Sequence, residues 1–404
     1  MVRTVVVNFV LACATFAAAP VQATSYKVLH VFLPGTDGTN PQGNLILLGK
    51  TLYGTTYSGG TGCGSFGCGT IFSINPSTGA EQVVYSFKGG SDGSTPFAGL
   101  LNVGGTLYGT TLDGGASGNG TAFSFDPATA TEQILYSFKN GSDGAFPEAA
   151  FVNVGGLLYG TTANGGSSNC TGGCGTIFSL NPTNRAERVL FSFPGSSGGA
   201  YPETSLIDIN GKLFGTTIIG GTSLNCRGGC GTVFQVGAKA GHEEILHSFQ
   251  NAPDGTLPEA SPIKVGHALY GTTSAGGPSG SGTVYLLEPK NGTEQVVYSF
   301  LGGSDGAAPE ANLTYVGNTL FGTTWLGGGS ANCGNGCGTI FALSPASGKE
   351  QVVHAFQGGT DGSNALSGLI KLHGTLYGIT YYGGSTTTCG FSNAGCGTVF
   401  AYTP

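Results

Sequence analysis

This sequence is short of charge. Asp, Glu, Lys and Arg make up only 9% of its 404 residues, and the basic ones are scarcer, 14 against 21 acidic, for a formal net charge of −7. Such a chain lacks the basic footprint that a phosphate backbone requires, so nucleic acid is not an expected partner. Past its N-terminus it also lacks an apolar run long enough for a spanning helix, so no transmembrane span is expected in the mature chain. It carries no phosphate loop, no zinc signature and no His placed with a Ser or Cys nucleophile. No cofactor and no metal is expected from such a sequence. Disorder is excluded as well, because 39% of residues are hydrophobic and recur in register.

Two things are abundant: Gly, at 76 residues, and repetition. The string Leu52-Tyr53-Gly54-Thr55-Thr56 returns from Leu107, Leu158, Leu213, Leu269, Leu320 and Leu376, with Phe for Tyr at Phe214 and Phe321 and Ile379 for the first Thr in the last copy. Seven copies at a long period point to a repeat architecture. Ahead of them, Met1 to Ala23 reads as a secretory signal: Arg3, a mostly apolar Val5 to Ala19, and small residues before cleavage after Ala23. A secreted, periplasmic or cell-surface location follows from that reading.

Each repeat reads as four strands, a to d. In the first unit these fall near Gly43–Leu48, Thr51–Tyr57, Thr70–Asn75 and Glu81–Phe87. Gly104-Gly105, Asn210-Gly211 and Gly317-Asn318 supply the positive φ of two-residue hairpin turns between a and b. Pro76 ends strand c. Strand d is apolar on both faces, as a propeller blade between neighbouring sheets would be. The ends are offset by one strand. Tyr26–Phe32 aligns with strand d, whereas Gly397–Tyr402 aligns with strand c. Pairing them completes a last blade and removes the free edges of an open array. The fold expected is all-β: a seven-bladed propeller of four-stranded blades, one domain over residues 24–404, most simply a monomer.

Cys13 would leave with the signal. The other ten form five local pairs in b–c loops: Cys63/Cys68, Cys170/Cys174, Cys226/Cys230, Cys333/Cys337 and Cys389/Cys396. Units two and five have neither Cys, so the cysteines occur together or not at all. That is the pattern of disulfides in an exported protein. Each would close a very short loop, for about 2 kcal/mol of chain entropy. The expectation is that they shape loop tips rather than hold the ring together.

Few residues could carry chemistry. Asp37, Asp92, Asp143, Asp254, Asp305 and Asp361 each precede Gly in the d–a loop. A lone Asp per blade supplies too few oxygens for calcium without carbonyl help, so a backbone turn is the preferred reading. Just beyond, Pro-Glu recurs in four consecutive units, placing Glu148, Glu203, Glu259 and Glu310 at the start of strand a, around one mouth of the channel. The position after Gly-Thr-Thr is aromatic in three neighbouring units: Tyr57, Trp325 and Tyr381. Aromatic rings beside carboxylates suit a sugar or another flat polar ligand. His30, His247 and His354 replace the aromatic of strand d and are read as substitutes for it. His267 and His373 fall in a–b turns.

The unit LYGTT…GG…GTIFSINPSTGAEQVVYSFKGGSDGSTPFAGL resembles the GloVer tandem repeat of exported, choice-of-anchor bacterial proteins. The resemblance spans the mature chain and implies export and a repeat fold, but no reaction. The expectation is a non-catalytic binding or scaffold propeller that recognises a glycan or envelope component through one loop face. A polysaccharide lyase or hydrolase using the rim glutamates, and an adhesion or envelope-complex subunit that binds protein, are the alternatives.

Overall fold

The computed structural model describes residues 25–384, 389 and 394–404. The expected signal segment, with Cys13, lies outside the described residues. The rest forms seven antiparallel sheets in chain order. Blade 1 has strands a (Ile46–Leu48), b (Thr51–Ser58), c (Thr70–Ile74) and d (Glu81–Ser86). Blades 2 to 6 repeat this, with inner strands at Leu101–Val103, Val152–Val154, Ile207–Ile209, Ile263–Val265 and Thr314–Val316. Blade 7 takes a, b and c from Ile370–Leu372, Thr375–Thr380 and Thr398–Thr403, and its d strand from the other end, Ser25–Val31. Tyr26 lies opposite Tyr402, and Val31 opposite Thr398. The ring is therefore closed by its two ends, as the strand offset required.

Strand a is shorter than expected, because Gly43–Leu45 lie outside it. Strand d is also less regular than its alternation implied. All seven c–d pairs shift register at one residue, which is Leu29 in blade 7 and Val84 in blade 1. A bulge leaves that residue unpaired and redirects the next side chain, here His30 or Tyr85. The a–b turns are as expected: Asn210 and Gly211 both have positive φ, at 57° and 79°.

The recurrent Gly-Thr-Thr is explained by three contacts. Gly54 lies beneath Phe72 of strand c. A Cβ there would stand 2.5 Å from the ring, and the same holds for Gly109 under Phe123 and Gly378 under Phe400. The first Thr reaches the next blade: the Thr55 hydroxyl donates to the Ala98 carbonyl at 3.0 Å, and Thr161 does the same to Thr204. The second Thr ties strand b to strand c. Thr56 pairs with Thr70 through their hydroxyls, and all seven blades hold this pair at 2.8–2.9 Å.

The core lies between blades. Each strand-c aromatic meets a Phe that follows strand d of the preceding blade, edge to face. The pairs are Phe32–Phe72, Phe87–Phe123, Phe138–Phe178, Phe193–Phe234, Phe249–Tyr285, Phe300–Phe341 and Phe356–Phe400, at 5.0–5.5 Å. Both rings of every pair are fully buried. Such pairs add about 0.5–1.5 kcal/mol each beyond area burial, and here they run unbroken round the ring.

All five expected disulfides form, with Cα–Cα distances of 5.0–5.2 Å. They fit an oxidising compartment. Their placement at loop tips is corrected by the structure. The second cysteine of each pair (Cys68, Cys174, Cys230, Cys337 and Cys396) is only 0–1% exposed and belongs to the apolar core. Cys389 is buried with Cys396, whereas Cys63 is exposed and Cys170, Cys226 and Cys333 are half-buried. The physical reason is that the b–c loop turns inward just before strand c and passes under the next d–a loop. There the carbonyls of Cys68, Cys174, Cys230, Cys337 and Cys396 accept the N–H groups of Thr95, Tyr201, Leu257, Asn364 and Asn40. Asn119 and Ser281 accept the same bond in the two blades without cysteine. Each disulfide therefore pins a tier of the core and the seat of a loop, not a free tip.

Among the described residues no helix is long and apolar enough to cross a membrane.

Candidate functional site

The d–a loop aims the site. In every blade it ends in a non-Gly residue with positive φ: Asn40, Thr95, Phe146, Tyr201, Leu257, Ala308 and Asn364, at 53–62°. This conformation is uncommon for such residues. It is held from both sides. The residue's N–H donates to the b–c loop, at Cys68 or its counterpart, and its carbonyl accepts from the end of strand b, as where Leu112 N–H donates to Thr95 O and Trp325 N–H to Ala308 O. Pro or Ala365 follows. The next residue then lines the axial channel: Gln42, Phe97, Glu148, Glu203, Glu259, Glu310 or Leu366. These positions precede strand a rather than beginning it. They surround a cavity of about 340 Å³ together with Asn44, Ser205, Ser261 and Asn312.

The four expected glutamates are brought together. Burial pushes the Glu148 carboxyl up to about 7, with Asp113 adding to it. Glu203 is pushed up to about 8 by burial and then by Glu148 and Glu259 on either side. Burial and then Glu259 raise Glu310 to about 8. Glu259 is raised by burial, against the opposing effect of a Ser274 bond. Glu148, Glu203 and Glu310 thus keep a large share of their protons at neutral pH, where a carboxylic acid can donate a hydrogen bond as well as accept one.

The three expected aromatics are half-buried. Trp325 and Tyr381 lie 5.9 Å apart, centroid to centroid. Tyr382, which sequence reasoning passed over, joins them at 6.0 and 4.6 Å. Tyr57 lies 6.4 Å from Phe97, and the Tyr381 phenol is pushed up to about 12 by burial and then by Tyr382 and Tyr57. Two of the left-handed residues hold this wall in place: Asn364 Nδ2 donates to Trp325 O and Asn40 Nδ2 to Tyr381 O.

These placements divide the mouth. The end of strand b in one blade stands over the channel-lining residue of the next, as the Thr55–Ala98 bond and the Tyr57–Phe97 contact require. Trp325, Tyr381 and Tyr57 therefore stand over Leu366, Gln42 and Phe97, the three positions without Glu. The residues over the acidic positions are Leu112, Ala163, Ile218 and Ser274. One half of the mouth is aromatic and uncharged, and the other is a run of four carboxyls. The cavity lining contains no Lys, Arg or His.

The loop Asp residues serve the seams between blades. Asp92 accepts Lys88 N–H at 2.8 Å and the Tyr85 hydroxyl at 2.7 Å. Asp305 receives Leu301 N–H and Tyr298, and Asp254 receives Gln250 N–H and pairs with His247. The strand-d His or Tyr is thus the partner of the loop Asp, more than the aromatic filler expected. The sequence held the clue: the one loop with Gly198 where the others carry Asp follows the one strand with Phe191, which has nothing to donate.

A closed seven-bladed propeller with a divided axial mouth is the class of protein this fold and site define. A sequence model described as the Gloeobacter/Verrucomicrobia repeat matches residues 14–172 and 167–392, and the chain belongs to that family. No curated protein matches it in sequence. Among solved structures it is similar to oligogalacturonate lyase from Vibrio parahaemolyticus (10% identity, 95% of this chain and 94% of that one, TM-score 0.56). An oligogalacturonate lyase in complex with manganese is also similar (10%, 94% and 96%, 0.52). So is the extracellular domain of what is designated a hybrid two component system of B. thetaiotaomicron (9%, 93% and 39%, 0.58). At these identities the likeness is one of fold alone.

Proposed function

We propose that this propeller is a non-catalytic binding module of an oxidising, extracytoplasmic compartment, and that it takes an uncharged or amino-bearing glycan at the axial mouth. The observation that carries this reading is the division of the mouth: four carboxyls line the cavity, and the aromatic strand ends stand above its other side. A sugar presents an apolar ring face and a polar edge. Trp325, Tyr381, Tyr382 and Tyr57 offer a surface for the first, and the four carboxyls offer donors and acceptors for the second.

The lyase and hydrolase readings have less support. A uronate-cleaving site has to neutralise the substrate's own carboxylate, and this cavity presents carboxyls and no basic side chain. A hydrolase needs one carboxyl kept protonated and another kept ionised. Glu148, Glu203, Glu259 and Glu310 are all moved the same way, upward. A protein-binding adhesion role would leave this cavity unused.

A glycan array probed with the purified chain tests the proposal. Binding to neutral or amino-sugar glycans, absent for polyuronates and lost in Trp325→Ala, is the expected result. Retention on no glycan, or product release from a polysaccharide that stops in Glu203→Gln, would sink it.

A further inference from the structure

Six seams carry a half-buried glutamate at the start of strand d, facing the preceding blade's loop. Glu81, Glu132, Glu187, Glu243, Glu294 and Glu350 each have a buried Oε1 with no hydrogen-bond partner. At three of these seams the glutamate faces a Tyr–Asp pair, and at one it faces Phe191 and a loop with Gly198 at the Asp position. At the remaining two it faces a His–Asp pair. Between blades 7 and 1, His30 Nε2 lies 3.3 Å from Asp37 Oδ2 and 3.9 Å from Glu81 Oε2. Between blades 4 and 5, His247 Nε2 lies 2.9 Å from Asp254 Oδ2, and Glu294 completes the group. In both, the three donor atoms lie within 4.8 Å of one another.

We propose that these two seams each bind one divalent transition-metal ion, with zinc as the reference ion, through His Nε2 and one oxygen from each of the two carboxylates. Tetrahedral ligands at zinc–ligand distances of about 2.0–2.2 Å stand roughly 3.3 Å apart. The His30–Asp37 spacing of 3.3 Å already matches that, and a small side-chain adjustment would bring the His30–Glu81 spacing of 3.9 Å to it. One imidazole and two carboxylates are a donor set for zinc or a similar first-row ion, and water would complete the shell. The Glu81 side chain is only 6% exposed, and its Oε1, like those of the other seam glutamates, has no partner; only Glu81 and Glu294 face an imidazole with it. His30 and Asp37 retain 19% and 24% exposure, which leaves an entry path. An ion there would join the d strand contributed by the N-terminal segment to blade 1 and so brace the closure.

The other seams explain why only two qualify. A Tyr hydroxyl already committed to its Asp replaces the imidazole at three of them. The third His seam, His354 with Asp361, has Tyr26 where the glutamate would be, its ring stacked on His354 at 3.7 Å.

The test is zinc titration of the purified full chain in metal-free buffer, read by calorimetry and by metal content after gel filtration. Two equivalents are expected. His30→Tyr should remove one, His247→Tyr the other, and His354→Tyr neither. Tyr is the residue blades 1, 2 and 5 carry at this place, so the variants keep a native-like seam, checked by the unfolding temperature without metal. Zinc should also raise the unfolding temperature of the parent chain, reversibly with a chelator, and leave that of the double variant unmoved. No zinc uptake by the parent chain, or uptake that persists in the double variant, overturns the proposal.

Discussion

Two layers of this molecule treat the same sevenfold repeat in opposite ways. Between the blades, the edge-to-face aromatic pair and the Thr–Thr pair recur in all seven units with almost constant spacing. At the axial mouth, the repeat is broken into a carboxyl run and an aromatic run. A closed ring needs identical joints, because one poor joint opens the circle. A ligand is not sevenfold symmetric, so its site has to depart from the repeat. The contrast separates residues that hold the ring from residues available to do something else.

Truncation in the joint layer should give the largest effect. Phe178→Ala, inside the ring, and Phe400→Ala, in the blade that closes it, should each cost about 3–5 kcal/mol, read as a lower denaturant midpoint. Similar losses would mean the closing blade is packed like any other. A much larger loss at Phe400 would mark it as the weak joint.

The acidic half of the mouth should give the next largest effect, through pH. A carboxyl raised on folding keeps its proton after the unfolded chain, with Glu near 4.3, has lost it. The stability it contributes is complete below that value and is lost as pH rises through about 7 to 8, where Glu148, Glu203 and Glu310 titrate. Stability should therefore fall between pH 5 and 8, by about 2–3 kcal/mol for these three together after screening, and the seam glutamates Glu81, Glu132, Glu187, Glu243, Glu294 and Glu350, also raised by burial, add to the fall. Glu203→Gln should flatten the profile, and Tyr381→Phe, in the aromatic half, should leave its slope alone. A flat profile in the parent chain would show that the carboxyls are more hydrated than their burial implies.

Substitution in the aromatic half should separate binding from stability. Trp325→Ala is expected to weaken glycan binding by about 10- to 100-fold, in line with the loss of a principal anchor. Half-buried as it is, it should change stability by no more than about 1 kcal/mol. Equal losses of both would return Trp325 to the joint layer.

The joint layer was legible in the sequence because it is repeated. A contact made seven times leaves the same residues seven times: the recurring Gly-Thr-Thr announced the repeat, and the offset of Tyr26–Phe32 against Gly397–Tyr402 announced closure. Even so, the role of each Thr could not be read, since one reaches within the blade and the other beyond it. The cysteine pairing was readable from spacing, but the burial of Cys68 and its four counterparts was not. Short loop length suggests a tip, and only the next d–a loop folding over it makes it core. The mouth was legible only in pieces. Glu148 to Glu310 and Tyr57, Trp325 and Tyr381 could be found, but not the offset that sets one blade's strand b over the next blade's loop. Tyr382 was passed over because its counterparts, such as Ser58 and Asp113, are not aromatic. Left-handed Phe146, Tyr201 and Leu257 carry no local signal at all, because pairing with strand b and the b–c loop imposes their conformation. The Asp–Tyr seam was readable in principle, from the joint absence of Tyr and Asp at Phe191 and Gly198.

The smallest effect expected lies where one joint departs from the other six. Blade 5 has Tyr285 where the others have Phe, and its hydroxyl is wholly buried with no hydrogen-bond partner. In the same blade the Thr272 hydroxyl, whose counterparts Thr55, Thr110, Thr161, Thr216 and Thr323 bond to the following blade, is also buried and unpaired. A buried polar group without a partner costs about 1–3 kcal/mol relative to its apolar replacement. Tyr285→Phe removes that hydroxyl and restores the joint of the other blades, so it should stabilise the protein by about 1 kcal/mol, seen as a higher unfolding temperature. Ligand binding at the mouth should not change, because Tyr285 lies between sheets and not on the cavity wall. A destabilised Tyr285→Phe would mean that the hydroxyl does have a partner, a trapped water being the simplest, and that blade 5 meets the repeat's requirement by another route.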